Sequence, residues 1–322
     1  MTGAWTWHGG GLETAKRHFG DGDWIDLSTG INPRPWPGAA EMTFDWQRLP
    51  DPPALARLEA VAASYFGVAA QHICAVPGTE IGLRLVGSLI GGPAQHVAPG
   101  YRTHGDMIAG SMAIDGTAAQ NSAGNLILAN PNNPDGRTID ADRVRALLDG
   151  RNGWLLVDEA FADVDPLVNV ARSVDDAEKL IVFRSFGKFF GLAGVRLGFV
   201  VAPQAIVAAL RDRLGAWPLS AAAIAIGTAA YADADWIAAA RQRLPEEAAA
   251  LDAMLAQHGF QPVGACPLFR LIEAENAHAL FQRLARCAIL TRPFSDRPRW
   301  LRIGLPADAS ALTRLEAALA DG

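Results

Sequence analysis

The sequence predicts an α/β fold, a large domain built on a mostly parallel sheet followed by a smaller α+β domain, on three observations. Between residues 54 and 202, segments of helical periodicity alternate with short apolar runs, the pattern of a sheet covered by helices. The polar segments fall just beyond the carboxyl ends of those runs, where open α/β sheets bind ligands. After Pro203 the texture changes to alanine-rich helix and then to short mixed elements.

In chain order, periodicity predicts helices over 54–66, 80–90 and 141–148. Short apolar runs predict strands over 73–76, 125–129, 154–157, 180–183 and 197–201. Two or three helices fill 204–258, with a break at Trp217-Pro218 because proline cannot supply the N–H of a helix interior. Apolar segments 268–272, 288–291 and 300–303, with helices 277–286 and 309–319, form the smaller domain. The first forty residues are rich in glycine and proline and weakly periodic, as an arm packed on a ligand cleft would be. The expected division is an arm over 1–40, a large domain over 41–225 and a small domain over 226–322.

A chain of 322 residues, 50% of them hydrophobic, can bury a sizeable core. Its net charge of −6 argues against a nucleic-acid or anionic membrane surface, which needs a clustered basic excess, and favours small-molecule chemistry. The three cysteines, Cys74, Cys266 and Cys287, lack metal-ligand spacing and read as buried thiols of a reducing cytoplasm, and no metal is expected. No basic segment followed by an apolar stretch opens the chain, and the small-residue stretch near 219–230 falls short of the about 20 residues that span a bilayer, so a cytosolic protein is expected.

The chemistry concentrates around Lys188, in Ser185-Phe-Gly-Lys188-Phe-Phe-Gly-Leu-Ala-Gly-Val-Arg196-Leu-Gly198. A lysine that can condense with an aldehyde has a hydroxyl three residues before it and a guanidinium eight residues after it, two groups able to hold a phosphate. Asn130-Pro-Asn-Asn133-Pro-Asp-Gly136 follows one strand and would ordinarily read as a turn. Asp158 ends the next strand, where an aspartate is commonly a cap. Pro77-Gly78-Thr79-Glu80 lies between a strand and a helix, where backbone N–H groups and the helix dipole favour an anion.

These motifs, in this order, resemble those of the pyridoxal-phosphate enzymes of the class I/II aminotransferase family, with the aspartate aminotransferase fold, also called fold type I. The resemblance implies pyridoxal 5′-phosphate as cofactor, Lys188 as the residue that holds its aldehyde, and Asp158 as partner of its pyridine nitrogen. It implies that Asn133 hydrogen-bonds the phenolic oxygen, that Gly78, Thr79, Ser185 and Arg196 cradle the phosphate, and that Tyr101 stacks on the ring. Phe161 stands where the family often has tyrosine, removing one hydrogen bond to the phenolic oxygen.

Specificity is expected from residues farther along and at the start of the chain. Arg302 matches the arginine that grips the substrate carboxylate, and Arg292 matches one that meets a substrate phosphate in histidinol-phosphate aminotransferases. His8-Gly-Gly10 and Asp26-Leu-Ser-Thr-Gly-Ile-Asn32-Pro33 resemble the opening motifs of the threonine-phosphate decarboxylases of cobalamin biosynthesis, and Leu49 stands where the histidinol-phosphate enzymes have a tyrosine. The resemblance implies decarboxylation of L-threonine O-3-phosphate, a small phosphorylated amino acid, with His8, Asn32, Arg292 and Arg302 holding its anionic ends. A histidinol-phosphate-type aminotransferase is the alternative. The fold also implies a homodimer, and the pathway a contact with the enzyme that consumes the product.

Overall fold

The computed structural model describes residues 3–6 and 8–320, packed as two compact units. One comprises residues 35–133 and 138–241, and the other residues 1–34, 134–137 and 242–322. The last of the boundaries between them, at 241/242, falls inside the helix Ala234–Gln257.

The first unit is built on seven strands: β1 (Ile73–Val76), β2 (Ala94–Val97), β3 (Met112–Ile114), β4 (Asn125–Ala129), β5 (Leu155–Asp158), β6 (Leu180–Ser185) and β7 (Gly198–Val201). Their order across the sheet is β1-β7-β6-β5-β4-β2-β3. Every neighbouring pair is parallel except the two that involve β7, which runs against both β1 and β6. Leu126, Ile127, Leu155, Leu156, Val157, Ile181, Val182 and Phe183 are wholly buried, so the central strands read as continuous apolar runs rather than alternating ones. That is why the sequence displays them. β2 and β3 escape the same reading because Gln95 and His96 interrupt the first and the second is an edge strand with Met112 exposed.

Helix α1 (Pro52–Phe66) starts on prolines, whose missing N–H groups a first turn does not need, and ends at Gly67 in the left-handed region. Helix α2 (Thr79–Ile90) starts directly after β1 and buries Leu83 and Val86 in the core. The expected stretch of helices resolves into Gln204–Leu214, Ala221–Ala232 and Ala234–Gln257, with the break at Trp217-Pro218 where proline placed it. Ser220 caps the second by accepting the N–H of Ala223.

In the second unit, Arg292–Pro293, Trp300–Gly304 and Phe269–Glu273 form an antiparallel sheet, and Ile25–Asp26 pairs in parallel with Ile289–Leu290. The helix Ala277–Arg286 buries Ala277, Leu280, Phe281, Leu284 and Ala285, one stripe at helical spacing, and is capped by Asn276. In the opening segment, Ile25 and Asp26 are therefore strand-paired within this unit. Gly304 donates to the Leu27 carbonyl at 2.6 Å, and a Cβ at Gly304 would collide with the carbonyl oxygen of Thr29. Cys74 and Cys266 are buried as expected, but Cys287 is exposed. It caps the helix Ala277–Arg286, beyond the last buried position of the apolar stripe.

Candidate active site

The strand ends of the first unit converge on a cavity of about 150 Å³. Gly78, Thr79, Tyr101, Asn133, Asp158, Ser185, Lys188 and Arg196 all line it, together with Glu80 and Phe161. Residues spread over more than a hundred positions meet there because parallel strands deliver their carboxyl ends to one edge. The register aligns Ala129 with Asp158 and Asp158 with Phe183. Asp158 ends the middle one of those three strands, and Asn133 and Lys188 follow the other two.

The reversed strand β7 assembles the anion cradle. Gly198, its first residue, pairs with Val76 on one side and Ser185 on the other. The end of β1, the end of β6 and the approach to β7 therefore come together, bringing Gly78, Ser185 and Arg196 to one place. Gly78 has φ +88°, and a Cβ there would stand 2.6 Å from Nη2 of Arg196. Only glycine lets the start of α2 and the guanidinium approach so closely. Backbone N–H groups of a helix start, a hydroxyl and a guanidinium are a donor set for a phosphate.

The loop after β4 divides its asparagines between structure and site. Asn130 donates to the Ile139 carbonyl at 2.7 Å and accepts the Ile139 N–H at 2.9 Å, closing the loop. Asn132 donates to the Pro99 carbonyl at 2.9 Å, whereas Asn133 lines the cavity. Lys188 lies in the short helix Phe186–Phe189, with its Nζ 5.4 Å from the centre of the Phe161 ring. Directly behind the site, wholly buried Arg184 pairs with Glu159 at 2.6 Å and with Asp163, tying β6 to the segment after β5. Each residue of that pair adjoins a cavity residue, Ser185 and Asp158 respectively.

His104, which the motifs did not single out, touches the site through Asp158. Wholly buried, its Nε2 stands 2.9 Å from Oδ2 of Asp158, while Oδ1 of the same carboxylate accepts the N–H of Ala160 at 3.0 Å. The carboxylate is thus held at both oxygens while its residue lines the cavity. The available signal was the spacing Tyr101-Arg-Thr-His104, which sets the histidine three residues beyond the ring expected to stack. Tyr101 and His104 meet edge to face at 5.7 Å.

The four residues expected on the substrate lie in the second unit. Arg292 and Arg302, ten apart in sequence, are directly opposed partners across two antiparallel strands. Arg302 is buried, donates to the Ser28 carbonyl at 2.7 Å and lies over the Phe269 ring at 5.1 Å. Burial pushes its guanidinium well below the ordinary arginine range, and the positive charge of Arg292 adds to the effect. Two opposed guanidiniums, one of them buried, are the type of donor pair that can take an anion. Asn32 is buried, its Oδ1 accepting from the N–H of Arg34 at 3.0 Å and from Arg243 at 3.4 Å. His8 is exposed.

The fold and the cavity define a class. An amine, a braced carboxylate, an amide and a phosphate cradle around an aromatic face fit a phosphorylated pyridine aldehyde, as in enzymes that work on amino acids. The chain belongs to the aminotransferase class I and II family, whose model matches residues 88–319. It is 41% identical to a threonine-phosphate decarboxylase from a Sinorhizobium species over 97% of both chains. A second threonine-phosphate decarboxylase, from Pseudomonas aeruginosa, is 37% identical over 97% of this chain and 96% of its own. Among solved structures, histidinol-phosphate aminotransferase from Sinorhizobium meliloti in complex with pyridoxal-5′-phosphate superposes with a TM-score of 0.85, at 22% identity over 97% of this chain and 94% of its own.

Proposed function

We propose that the protein is a pyridoxal-phosphate-dependent decarboxylase that converts L-threonine O-3-phosphate to (R)-1-amino-2-propanol O-2-phosphate, in the cytoplasm, for cobalamin biosynthesis. The observation that carries this reading is the end-to-end identity of 41% with an enzyme of that name. The opposed pair Arg292 and Arg302 supports it, because a substrate with a carboxylate and a phosphate needs two cationic partners.

When bound, pyridoxal phosphate supplies an electron sink for the carbanion left at the substrate Cα. The protein's part is to hold and orient. Gly78, Thr79, Ser185 and Arg196 would bind the phosphate, Asn133 would donate to the phenolic oxygen, and Tyr101 would cover the ring. Asp158, kept in place by His104, would hold a proton on the pyridine nitrogen. Lys188 would hold the aldehyde carbon, and its amine or a water would supply the proton to Cα. Arg302 and Arg292, with Asn32 and His8, hold the two anionic ends of the substrate. The choice of reaction would follow from that grip, because the orientation of the substrate decides which bond at Cα breaks.

The working form is a homodimer. Exposed Trp46 and Leu49 adjoin a largely apolar groove lined by residues of 43–61 and of the helix Ala221–Ala232, a patch suited to a second copy of the chain. The reaction is tested by supplying L-threonine O-3-phosphate and following carbon dioxide. Release without any need for 2-oxoglutarate is the expected result. Glutamate formation without carbon dioxide would replace the decarboxylase by an aminotransferase.

A further inference from the structure

Glu80 occupies an unexpected position. It stands in the first turn of α2, beside the cradle read as the phosphate site, where a second negative charge opposes an anion. A first-turn acid paired with a basic residue four positions on is an ordinary surface arrangement, and Oε1 of Glu80 does accept from Nε of Arg84 at 2.7 Å. The other oxygen turns inward. Oε2 accepts from the Tyr101 hydroxyl at 3.0 Å and from Oγ1 of buried Thr103 at 2.8 Å.

Tyr101 is thereby held at both ends. Its hydroxyl is tied to Glu80, and its ring meets His104 edge to face, with His104 bonded in turn to Asp158. One line of contacts runs from Arg84 at the surface through Glu80, Tyr101 and His104 to Asp158.

We propose that Glu80 is a positioning residue that acts through Tyr101, fixing the tilt of the ring that faces the cofactor and coupling it to the carboxylate at the pyridine nitrogen. Arg84 and Thr103 hold Glu80 in the orientation that does this. Such a role would outweigh the repulsion an acid exerts on a neighbouring phosphate, because a ring free to tilt would orient its partner less well. The inference rests on the reading that Tyr101 faces the cofactor, and its test separates the two.

The chain has three tyrosines, Tyr65, Tyr101 and Tyr231, so labelling tyrosine with ¹³C at Cζ yields three resonances, of which Tyr101→Phe removes one. In the cofactor-free protein at neutral pH, Glu80→Gln is expected to shift the Tyr101 resonance and leave those of Tyr65 and Tyr231 in place. In the loaded enzyme, Glu80→Gln and Tyr101→Phe are each expected to lower kcat by on the order of ten-fold with KM little changed, and the double variant to lose no more than either alone. An unmoved Tyr101 resonance, or losses that multiply in the double variant, overturns the role of Glu80. If Tyr101→Ala binds pyridoxal phosphate with unchanged affinity and unchanged cofactor circular dichroism, the stacking reading fails instead, whatever the resonances show.

Discussion

Replacing Gly78 by alanine tests the phosphate cradle at its tightest point. Gly78 has φ +88° and ψ 150°, a conformation essentially reserved for glycine, and forcing a side chain into it costs about 1–3 kcal/mol. The new Cβ would also stand 2.6 Å from Nη2 of Arg196. That atom ends a flexible side chain, so the guanidinium yields rather than the backbone. With Arg196 in the proposed role, its displacement would remove a charge-assisted hydrogen bond to the cofactor phosphate, worth about 1.5–3 kcal/mol. At about 1.4 kcal/mol for each factor of ten, the dissociation constant for pyridoxal phosphate should rise roughly ten- to hundred-fold. The assay is a titration of cofactor-free protein with pyridoxal phosphate and, in parallel, with pyridoxal, which lacks the phosphate. The preference of the wild type for the phosphorylated form should shrink by that factor. Equal losses for the two ligands would refute the reasoning, because the damage would then lie outside the cradle.

Other expected outcomes address the second unit and the pH response. Arg302→Lys keeps a charge but loses the planar fork, and should lower kcat/KM on the order of a hundred-fold in steady-state kinetics while cofactor affinity stays unchanged. Gly304→Ala drives a Cβ into the Thr29 carbonyl, which is backbone and cannot swing aside, so the urea midpoint should fall by the equivalent of about 1–3 kcal/mol. Burial raises the Glu80 carboxyl, but hydrogen bonds from Thr103, Arg84 and Tyr101 outweigh burial and hold it below its ordinary value of 4.5. A folded value below the unfolded one means that its stabilisation is present above pH 4.5 and is lost as pH falls through the folded value. The urea midpoint of cofactor-free protein should therefore drop less on acidification in Glu80→Gln than in the wild type, and an equal drop would count against the assignment.

Read from the sequence alone, the central strands and long helices emerged because burial on both faces writes continuous apolar runs and burial on one face writes a 3.6-residue stripe. Lys188, Asn133, Asp158, Gly78 and Arg196 were legible through the resemblance of their segments to those of a known family, since by residue type alone Asn133 reads as a turn and Asp158 as a cap. Each lies at or near a strand end and lines the same cavity. Polar β2 and the edge strand β3 carried no such mark, since Gln95 and the exposed Met112 break the run that periodicity detects.

Only the tertiary structure decided which groups meet. The reversal of β7 brings Gly78, Ser185 and Arg196 around Gly198, antiparallel pairing sets Arg292 opposite Arg302, and the fold carries His104 to an aspartate 54 residues away. Glu80 reaches Tyr101 across 21 residues. Local pattern records which face of an element is buried, because neighbours along the chain share that face. It holds no record of the partner waiting there, because that partner arrives from elsewhere in the chain through strand order and direction. The sequence by itself thus determined the fold class and the chemistry available to the site, and the packing of distant strands and helices determined how that chemistry is aimed.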